Sequence, residues 1–409
     1  MVTTALKRPQ SFAADRDLPG ATDLLAGAGA ERVARFLEER GLDPHRVEPV
    51  QAHYRPGRWL AVCFRTGAVD RTSGRPVCPI VTVECRGGES DMVWAFPDDP
   101  ALPGLVAATD AELVRRRLRP RPAGVTVEPL RYRPRRRAVL RYRLHDGRVL
   151  FGKVVKPGRG QRLLDLNEAL GATGLKLALP AGRVARGALV LPCLPGNSLR
   201  NLLLTGRLLP IPDRVAALSE DLHRLCSPLL ASGEMAADRS AIRRRVDPAT
   251  ALCAAQMVAR LLPSEGCVAG RVAEAVIAWA EESEPHEEWI VHGDLYENQV
   301  LVDRESLGLI DLDDLGSGDP LLDAANFTAH LLVLGASGQP AGARILRYRE
   351  ELQASFCRRL DADPAALAWR EAYCLLRLVS GPFRVLHPDW PRRMSDRLAL
   401  AATAVRSRR

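Results

Sequence analysis

Hydrophobic and polar residues alternate in two stretches of the N-terminal half of the chain, residues 47–65 and 127–143. Both stretches begin with Val-Glu-Pro, continue to Tyr-Arg-Pro, pass through a basic turn and end in alternating apolar and basic residues. Alternation with a period of two predicts strands, and a turn between two such runs predicts a hairpin. A further strand-like run follows each stretch. We interpret the two as diverged copies of one small β unit, with chance resemblance as the alternative.

Apolar residues recur at three- and four-residue spacing from about residue 198 to 285 and again beyond residue 320, which predicts helices. A proline-rich connector at 95–105 and a helical run after it indicate a domain boundary near residue 115. Two β-rich regions followed by a helical region predict an α+β protein. We predict four parts: a flexible tail over 1–20, a β-rich cap domain over 21–115, a small β-rich lobe over 116–195 and a helical lobe over 196–409.

Composition narrows the class of protein further. The 409 residues are 46% hydrophobic, which is typical of a globular protein with a buried core. We find no apolar run long enough to span a membrane and no secretory pattern at the start, and the nine cysteines are scattered without metal-ligand spacing. These features predict a cytoplasmic protein with reduced thiols. The net charge of +9 comes almost entirely from arginine, so that any lysine within an apolar strand is conspicuous.

Candidate chemistry lies in the segment from residue 292 to 314. Two short β-like runs, VLV (300–302) and LGLIDLDD (307–314), flank a polar turn and predict a hairpin. If Val302 lies opposite Gly308, Gln299 lies opposite Asp311, and opposed residues share one face of a sheet. An amide and a carboxylate at one point suit Mg²⁺. Asp294, at the same open end of the hairpin, could accept a proton from an attacking hydroxyl.

Three segments in order, VHGDLYENQVL, LIDLDD and GDPLLD (318–323), resemble the aminoglycoside phosphotransferase/choline kinase-like family. That family has H-G-D-x-x-x-x-N in its loop, then I-D, often followed by G-D-P-x-x-D. The resemblance covers about residues 125–395. It implies a protein-kinase-like bilobal fold, with 116–195 as the nucleotide lobe, preceded here by the cap domain. It also implies Mg²⁺, ATP as phosphate donor with GTP as an alternative, and a small-molecule hydroxyl as acceptor.

The resemblance assigns roles to the residues of this segment. Asp294 would be the catalytic base and Asp311 the main metal ligand, with Asp313 as a further metal-site candidate. The position five residues after Asp294 holds Gln299 where the family has asparagine, so Gln299 is the preferred amide ligand and Asn298 the alternative. Three further residues would support the structure of the loop and the following helix: His292, Asp319 and Asp323.

On the nucleotide side, Lys153 stands in the otherwise apolar run VLFGKVV and suits the cation that contacts the phosphates. Glu168, or Asp165 three residues before it, would fix this lysine by the lysine–glutamate pair of the family. Arg136, in the basic turn at 132–139, is a candidate phosphate contact, with a solvated turn as the alternative. The family hinge that meets the adenine would correspond to Leu191, Cys193 and Leu194. In the first copy of the β unit, Thr82 or a neighbour takes the place of Lys153.

Three functions follow from these features. The leading one is an ATP-dependent kinase for the hydroxyl of a small molecule, such as a sugar, an aminoglycoside or a similar alcohol. Near the C-terminus, SGPFRVLHPDWP (380–391) either lines the acceptor pocket, through Phe383, Arg384, Asp389 and Trp390, or only packs the helices. The second is a catalytically silent kinase-like module that binds a nucleotide or a partner.

The third, nucleic-acid binding, rests on eight arginines between 131 and 148. With few aromatic residues for stacking, we expect no specific nucleic-acid partner and no membrane partner. The oligomeric state stays open.

Overall fold

The computed structural model describes residues 15–170, 175–207, 209–231, 245–283 and 289–406. Its N-terminal domain is an antiparallel sheet with helices against it. The strands, in the spatial order β1-β2-β4-β5 with β3 paired to β2, are β1 Leu42–Arg55, β2 Trp59–Asp70, β3 Pro76–Val77, β4 Ile80–Arg86 and β5 Met92–Ala95. Helices α1 Gly20–Asp23 and α2 Gly29–Glu38 precede the sheet, and α2 packs on β1 and β4.

The predicted tail extends too far along the chain. Residues 1–14 lie outside the described residues, but Leu18 is fully buried. The Asp15 carboxylate accepts hydrogen bonds from Tyr54 Oη at 2.6 Å and from the Gly57 backbone N–H at 2.8 Å. Residues 15–20 therefore belong to the cap domain, because they tie down the turn of its first hairpin.

The second sheet has the strand order β10-β11-β8-β7-β6. Its strands are β6 Val125–Arg133, β7 Arg137–Leu144, β8 Val149–Val155, β10 Gly182–Ala185 and β11 Ala188–Pro192. Two short helices, α3 Leu105–Thr109 and α4 Ala111–Arg117, come before it, and α5 Pro157–Leu170 follows β8. Since α3 and α4 pack on this second sheet, α4 spans the boundary predicted near residue 115 and shares the core of the second sheet.

The two hairpins, β1–β2 and β6–β7, agree in detail. Each has an irregularity in register just after its Val-Glu-Pro, between Pro49 and Gln51 in one and between Pro129 and Arg131 in the other. In each turn one residue has positive φ, Gly57 at 67° and Arg135 at 59°. Asp99 accepts from Tyr132 Oη at 2.7 Å and from the Arg135 backbone N–H at 2.7 Å, as Asp15 does from Tyr54 and Gly57 in the first hairpin. These shared details favour the interpretation as two copies of one unit.

Register also identifies the first-copy counterpart of Lys153. Lys153 pairs with Val139 in the second sheet, and the matching pair in the first sheet is Glu84 with Ala61. The counterpart is therefore Glu84 rather than Thr82, which pairs with Cys63. The glutamate carries the opposite charge, so the first copy lacks the cation that a nucleotide would need.

The remainder of the chain is mainly helical. Its helices are α6 Leu199–Thr205, α7 Pro212–Ala231, α8 Pro248–Leu261, α9 Gly266–Glu282, α10 Pro320–Gly335, α11 Gly342–Arg359, α12 Pro364–Leu378, α13 Gly381–Arg384 and α14 Trp390–Arg406. Two small sheets complete it: β12 Asn197–Ser198, β14 Val300–Asp303 and β15 Ser306–Leu309 with β9 Lys176–Leu177, and β13 Trp289–Val291 with β16 Gly316–Gly318. Together with the β6–β11 sheet, this region forms the predicted arrangement of a small β-rich lobe and a larger helical lobe.

Helix α10 lies at the centre of the helical lobe and is almost entirely buried. It begins with Asp319, whose side chain accepts from the Leu321 N–H, and with Pro320 in its first turn. The helix is hydrophobic all round, as expected for a core element. None of the helices in the described residues is long and apolar enough to cross a membrane.

Candidate active site

The loop between β13 and β14 carries Asp294 and is held in place from beneath by α10. The Asp323 carboxylate accepts hydrogen bonds from the backbone N–H groups of His292, at 2.6 Å, and Gly293, at 3.0 Å. Asn326, one turn along the same helix, donates to the Leu295 carbonyl at 2.8 Å. Burial raises the pKa of Asp323 to about 6. Asp294 itself is half-exposed, so its carboxylate is open to a substrate.

His292 links this loop to the neighbouring hairpin. Its imidazole is fully buried, and Nε2 lies 2.9 Å from the carbonyl oxygen of Ile310, just beyond the end of β15. The side chain thus points away from the open face where Asp294 lies. Its predicted role, support of the loop, fits this position.

The register of the β14–β15 hairpin differs by one residue from the prediction. Val302 pairs with Leu307 and not with Gly308, so Gln299 lies opposite Ile310, whose N–H donates to the Gln299 carbonyl at 3.0 Å. Asp311 nevertheless meets Gln299, with Gln299 Nε2 3.2 Å from Asp311 Oδ2. The reason is that Asp311 has φ 63° and ψ 50°, a left-handed conformation that ends the strand and turns the chain. A strand-only argument could not predict this turn.

Four charged groups from both lobes meet at this point. Lys153 Nζ, on β8, lies 2.6 Å from Asp311 Oδ1 and also contacts Asp313. Arg137 Nη1, at the start of β7, lies 3.0 Å from each oxygen of Asp311 and 3.5 Å from Asp313 Oδ2. Asp313 comes next to Asp311 because residues 312–314 form a single 3-10 turn rather than a continued strand. The cluster therefore joins the β-rich lobe to the helical lobe.

The charges in this cluster stabilise one another. Burial alone would raise the pKa of Asp311, but Lys153 and Arg137 hold this pKa well below its usual range. Burial alone would likewise lower the pKa of Lys153, and the carboxylates of Asp313 and Asp311 raise it instead. Asp311, Lys153 and Arg137 are therefore ionised at neutral pH. Asp294 contributes to the same field, since its charge helps to raise the pKa of Arg137.

The donor set at this point fits a magnesium ion. Asp311 and Asp313 offer two carboxylates and Gln299 one amide, and Mg²⁺ commonly takes one or two carboxylates and completes its shell with substrate phosphates and water. Within the described residues, no three His, Cys, Asp or Glu side chains form a group able to hold a metal alone. A site completed by phosphates satisfies both observations.

The other predicted residues divide into several groups. Asn298 is half-exposed in the turn before β14, whereas Gln299 is buried beside Asp311. Asp319 caps α10 and receives Arg370 Nε at 2.6 Å, which is a structural position. The side chain of Glu168 lies outside the described residues, and the acidic partners that the structure gives Lys153 are Asp311 and Asp313. Asp165 is exposed and bonded to Gln161.

The predicted hinge residues lie where the chain passes from one lobe to the other. Leu191 is on β11, paired with Phe151 of β8, and Cys193 and Leu194 follow in an extended connection to β12. Cys193 is exposed, and Leu194 packs over Gly308 of β15.

Among the four arginines of the basic turn at 132–139, Arg137 reaches the cluster, whereas Arg136 is exposed and lines a different cavity. Strand alternation could have identified Arg137. It pairs with Val155 on β8, two residues from Lys153, so the side chains of Arg137 and Lys153 lie on the same face of the sheet. Sequence reasoning also missed His330, whose ring stacks on Tyr296 with centroids 4.3 Å apart. Burial lowers the pKa of His330 to about 3, so it is neutral beside Asp294.

Comparison with known proteins gives a family match over the central part of the chain. Residues 161–360 match the sequence model of the phosphotransferase enzyme family, APH. A search of curated proteins gave no match.

Solved structures similar to the fold include a thermostable mutant of aminoglycoside phosphotransferase APH(4)-Ia, with 16% identity, 69% of this chain and 94% of that chain covered, and a TM-score of 0.46. Choline kinase from Cryptosporidium parvum has 10% identity, 69% and 89% coverage and a TM-score of 0.46. Plasmodium vivax ethanolamine kinase has 11% identity, 67% and 82% coverage and a TM-score of 0.44.

The family match covers the loop of Asp294, the hairpin after it and the segment 318–323, which are the motifs that carry the resemblance. The predictions of the family, of the kinase-like α+β fold class and of a phosphotransferase enzyme are confirmed. Residues 161–360, just under half of the chain, thus match the APH phosphotransferase enzyme family.

Proposed function

We propose that this protein transfers the γ-phosphoryl group of ATP to a hydroxyl of a small molecule, with Asp294 as base and Mg²⁺ at Asp311 and Gln299. The observation that carries this proposal is the meeting of Lys153 and Arg137, from the β-rich lobe, with Asp311 and Asp313, from the helical lobe. A kinase-like phosphotransfer site needs cations and metal-binding oxygens at one point between two lobes. A cytoplasmic location, consistent with nine free thiols, is part of the same proposal.

The reaction forms a bond between the acceptor oxygen and the γ-phosphorus and breaks the bond from that phosphorus to the β–γ bridging oxygen. Asp294 Oδ accepts the hydroxyl proton as the new bond forms. Lys153, which is buried, and Arg137, which is half-buried, stabilise the negative charge of the phosphates during transfer, because both are ionised and directed to the same point. Mg²⁺, when bound by Asp311 with Gln299, supplies further charge neutralisation. Asp323 and Asn326 keep the loop, and hence Asp294, in position.

A screen of hydroxyl compounds tests this function. Purified protein with ATP and Mg²⁺ is incubated with sugars, sugar phosphates, aminoglycosides and amino alcohols, and phosphorylated product is detected by ³¹P NMR. We expect ADP and a phosphate ester in equal amounts, and loss of both when EDTA is added. The same screen with GTP decides between the two nucleotides.

The alternative is a catalytically silent module that binds a nucleotide. The observation that favours it is Gln299, since the family has asparagine at this position and the longer side chain here bonds Asp311 directly. This alternative predicts nucleotide binding but no phosphate ester with any acceptor. A single acceptor that yields ester in proportion to ADP would rule it out.

A further inference from the structure

A second large cavity lies at the junction of all three parts of the molecule. Its volume is about 540 Å³, which is enough for a sugar-sized molecule. Strand β1 of the cap domain contacts α8 and α13 of the helical lobe, and the turn of the β6–β7 hairpin closes the remaining side. We call this cavity the junction pocket. Trp59 and Phe383 provide apolar faces in its wall.

Charge distinguishes the junction pocket from an ordinary surface cleft. Among the described residues its wall contains no aspartate or glutamate, while it contains six cationic side chains: Arg55, Arg86, Arg135, Arg136, Lys156 and Arg384. The cap domain, the β-rich lobe and the helical lobe each supply at least one of them. Such a concentration of one charge in a concave site attracts the opposite charge.

A carboxylate behind the wall is already engaged by two of these arginines. Glu84 is buried, and its two oxygens lie 2.6 Å from Arg86 Nε and 2.6 Å from Arg135 Nε. One carboxylate thus balances two guanidinium groups. The lining also contains Arg55, Arg136, Lys156 and Arg384, so cationic side chains predominate in the wall of the pocket.

Two buried groups next to the pocket respond to this excess charge. Burial lowers the pKa of Arg133 to about 9, and repulsion by Arg131, Arg384, Arg137 and Arg136 contributes to that shift. Burial, with Arg384 as the next cause, also lowers the pKa of His53 to about 3, so His53 is neutral in the pocket wall. A bound anion would relieve the repulsion among these cations.

A row of arginines connects the junction pocket to the reaction centre. Arg384 interacts electrostatically with Arg133, which lies directly opposite Arg137 at the turn of the β6–β7 hairpin. Arg137 in turn contacts Asp311 and senses the charge of Asp294. The junction pocket and the reaction centre therefore meet at the same hairpin turn, with Arg136 in the wall of the pocket and Arg137 at Asp311.

We propose that the acceptor of this enzyme is an anionic alcohol, such as a sugar phosphate or sugar acid, whose phosphate or carboxylate group binds in the junction pocket against Arg384, Arg136 and Arg55. The inference rests on the proposed function, which it makes more specific. It disfavours a polycationic aminoglycoside or an amino alcohol, since either would place ammonium groups among arginines. The cap domain then has a function, because it completes the acceptor site.

Matched pairs of alcohols test the substrate class. The pairs are glucose with glucose 6-phosphate, galactose with galacturonate, and glycerol with glycerol 3-phosphate, each measured with ATP and Mg²⁺. We expect a higher kcat/KM for the anionic member of each pair. Arg384→Gln or Arg136→Gln should lower that kcat/KM by about 10- to 100-fold, which is the range for loss of a hydrogen bond between charged groups. Arg271→Gln, at an exposed arginine on α9, is the control and should change nothing.

Two results would overturn the proposal while leaving the phosphotransferase function intact. One is a preference for the neutral or cationic alcohol. The other is that Arg384→Gln weakens ADP binding by the same factor by which it raises the KM of the acceptor. That result would assign the pocket to the nucleotide.

A binding measurement separates this proposal from the proposed function. Calorimetry with inorganic phosphate on the protein saturated with Mg²⁺–ADP requires no turnover. We expect binding that Arg384→Gln and Arg136→Gln weaken by about tenfold or more and that Arg271→Gln leaves unchanged. Equal phosphate binding in the wild type and both pocket variants would overturn the proposal. Weakened binding in the pocket variants, together with no turnover of any alcohol, would uphold the pocket and count against the phosphotransferase function.

Discussion

At the scale of single residues, the site depends on charges that are buried together and balance one another. Lys153 is 6% exposed and Asp313 is 3% exposed, and burying a charge is costly unless it is paired. The conformation of Asp311 brings both carboxylates to the same ammonium group. The same residues thus keep the apo protein stable and provide the candidate metal and phosphate ligands.

Replacing Lys153 tests this double role. Lys153→Met leaves Arg137 as the close cation of Asp311, and Arg137 and Arg159 as those of Asp313. Breaking a buried pair in this way should lower the free energy of unfolding by about 3 kcal/mol. Urea unfolding measures the loss. Adding Mg²⁺ should restore part of the stability of the variant, because the carboxylates regain a cation. An unchanged unfolding midpoint without Mg²⁺ would contradict the account.

His53 makes stability depend on pH. Its folded pKa of about 3 lies below the ordinary value of 6.5, so the unfolded chain binds a proton more readily over this interval, and the free energy of unfolding falls as pH decreases from 6.5 towards 3. Between pH 7 and pH 5 this contribution amounts to about 2 kcal/mol. We expect His53→Gln to lose less stability than the wild type over that range in urea titrations. Parallel losses in the two proteins would show that His53 does not contribute.

At the scale of secondary structure elements, two hairpins of one design carry out different tasks. In both, an aspartate that precedes the hairpin holds a tyrosine and a left-handed turn residue. The first turn presents Arg55 to the junction pocket, and the second presents Arg136 to the pocket and Arg137 to the reaction centre. Asp99 lies within the predicted cap domain (residues 21–115). The cap domain therefore holds the β6–β7 turn, which is the turn next to the proposed phosphate site.

Paired substitutions of the two aspartates separate these tasks. Asp99→Ala removes the acceptor of the Arg135 N–H and Tyr132 hydroxyl bonds and should lower both stability and Mg²⁺–ATP affinity, because Arg137 loses its fixed position. Asp15→Ala should lower stability by a similar amount, about 1–3 kcal/mol, but leave nucleotide affinity unchanged. Thermal unfolding and nucleotide titration by calorimetry measure the two effects. Equal effects on nucleotide affinity would contradict this division.

The sequence allowed the motifs to be recognised but not the exact strand register. The elements HGD, LIDLDD and GDPLLD, together with a rare lysine in an apolar strand, were sufficient to bring Asp294, Asp311, Gln299 and Lys153 into one hypothesis. The register differs by one residue because the turn consists of Arg304 and Glu305, with Asp303 paired to Ser306. The contact between Gln299 and Asp311 comes instead from the left-handed conformation of Asp311. A local pattern of alternation does not contain that information.

At the scale of the whole molecule, the cap domain is integrated with the kinase-like lobes. Buried side chains of the cap, among them Phe36 and Val62, belong to one continuous apolar cluster with the helical lobe. A second cluster joins Cys63 and Leu102 of the cap region to the β6–β11 sheet. The cap therefore shares both hydrophobic cores. This integration was not evident from the sequence, which indicated only a boundary near residue 115.

Shared cores predict one cooperative unfolding transition. Trp94 reports on the cap, and Trp369 on the helical lobe, and both are buried. We consider two variants that each retain one of these tryptophans. Their urea unfolding midpoints measured by fluorescence should coincide with each other and with the midpoint measured by circular dichroism, as expected for a single transition. An earlier midpoint for Trp94 would show that the cap unfolds on its own.

The central claim is that Asp294 accepts the proton of the attacking hydroxyl at a site formed by both lobes. The most direct test compares wild type with Asp294→Asn, measuring Mg²⁺–ATP affinity by calorimetry and phosphate-ester formation with the best acceptor at saturating nucleotide. The account predicts similar nucleotide affinity and a fall in kcat of about 10²- to 10⁴-fold, the usual contribution of a general base. Phosphate-ester formation at an undiminished kcat in Asp294→Asn would contradict it.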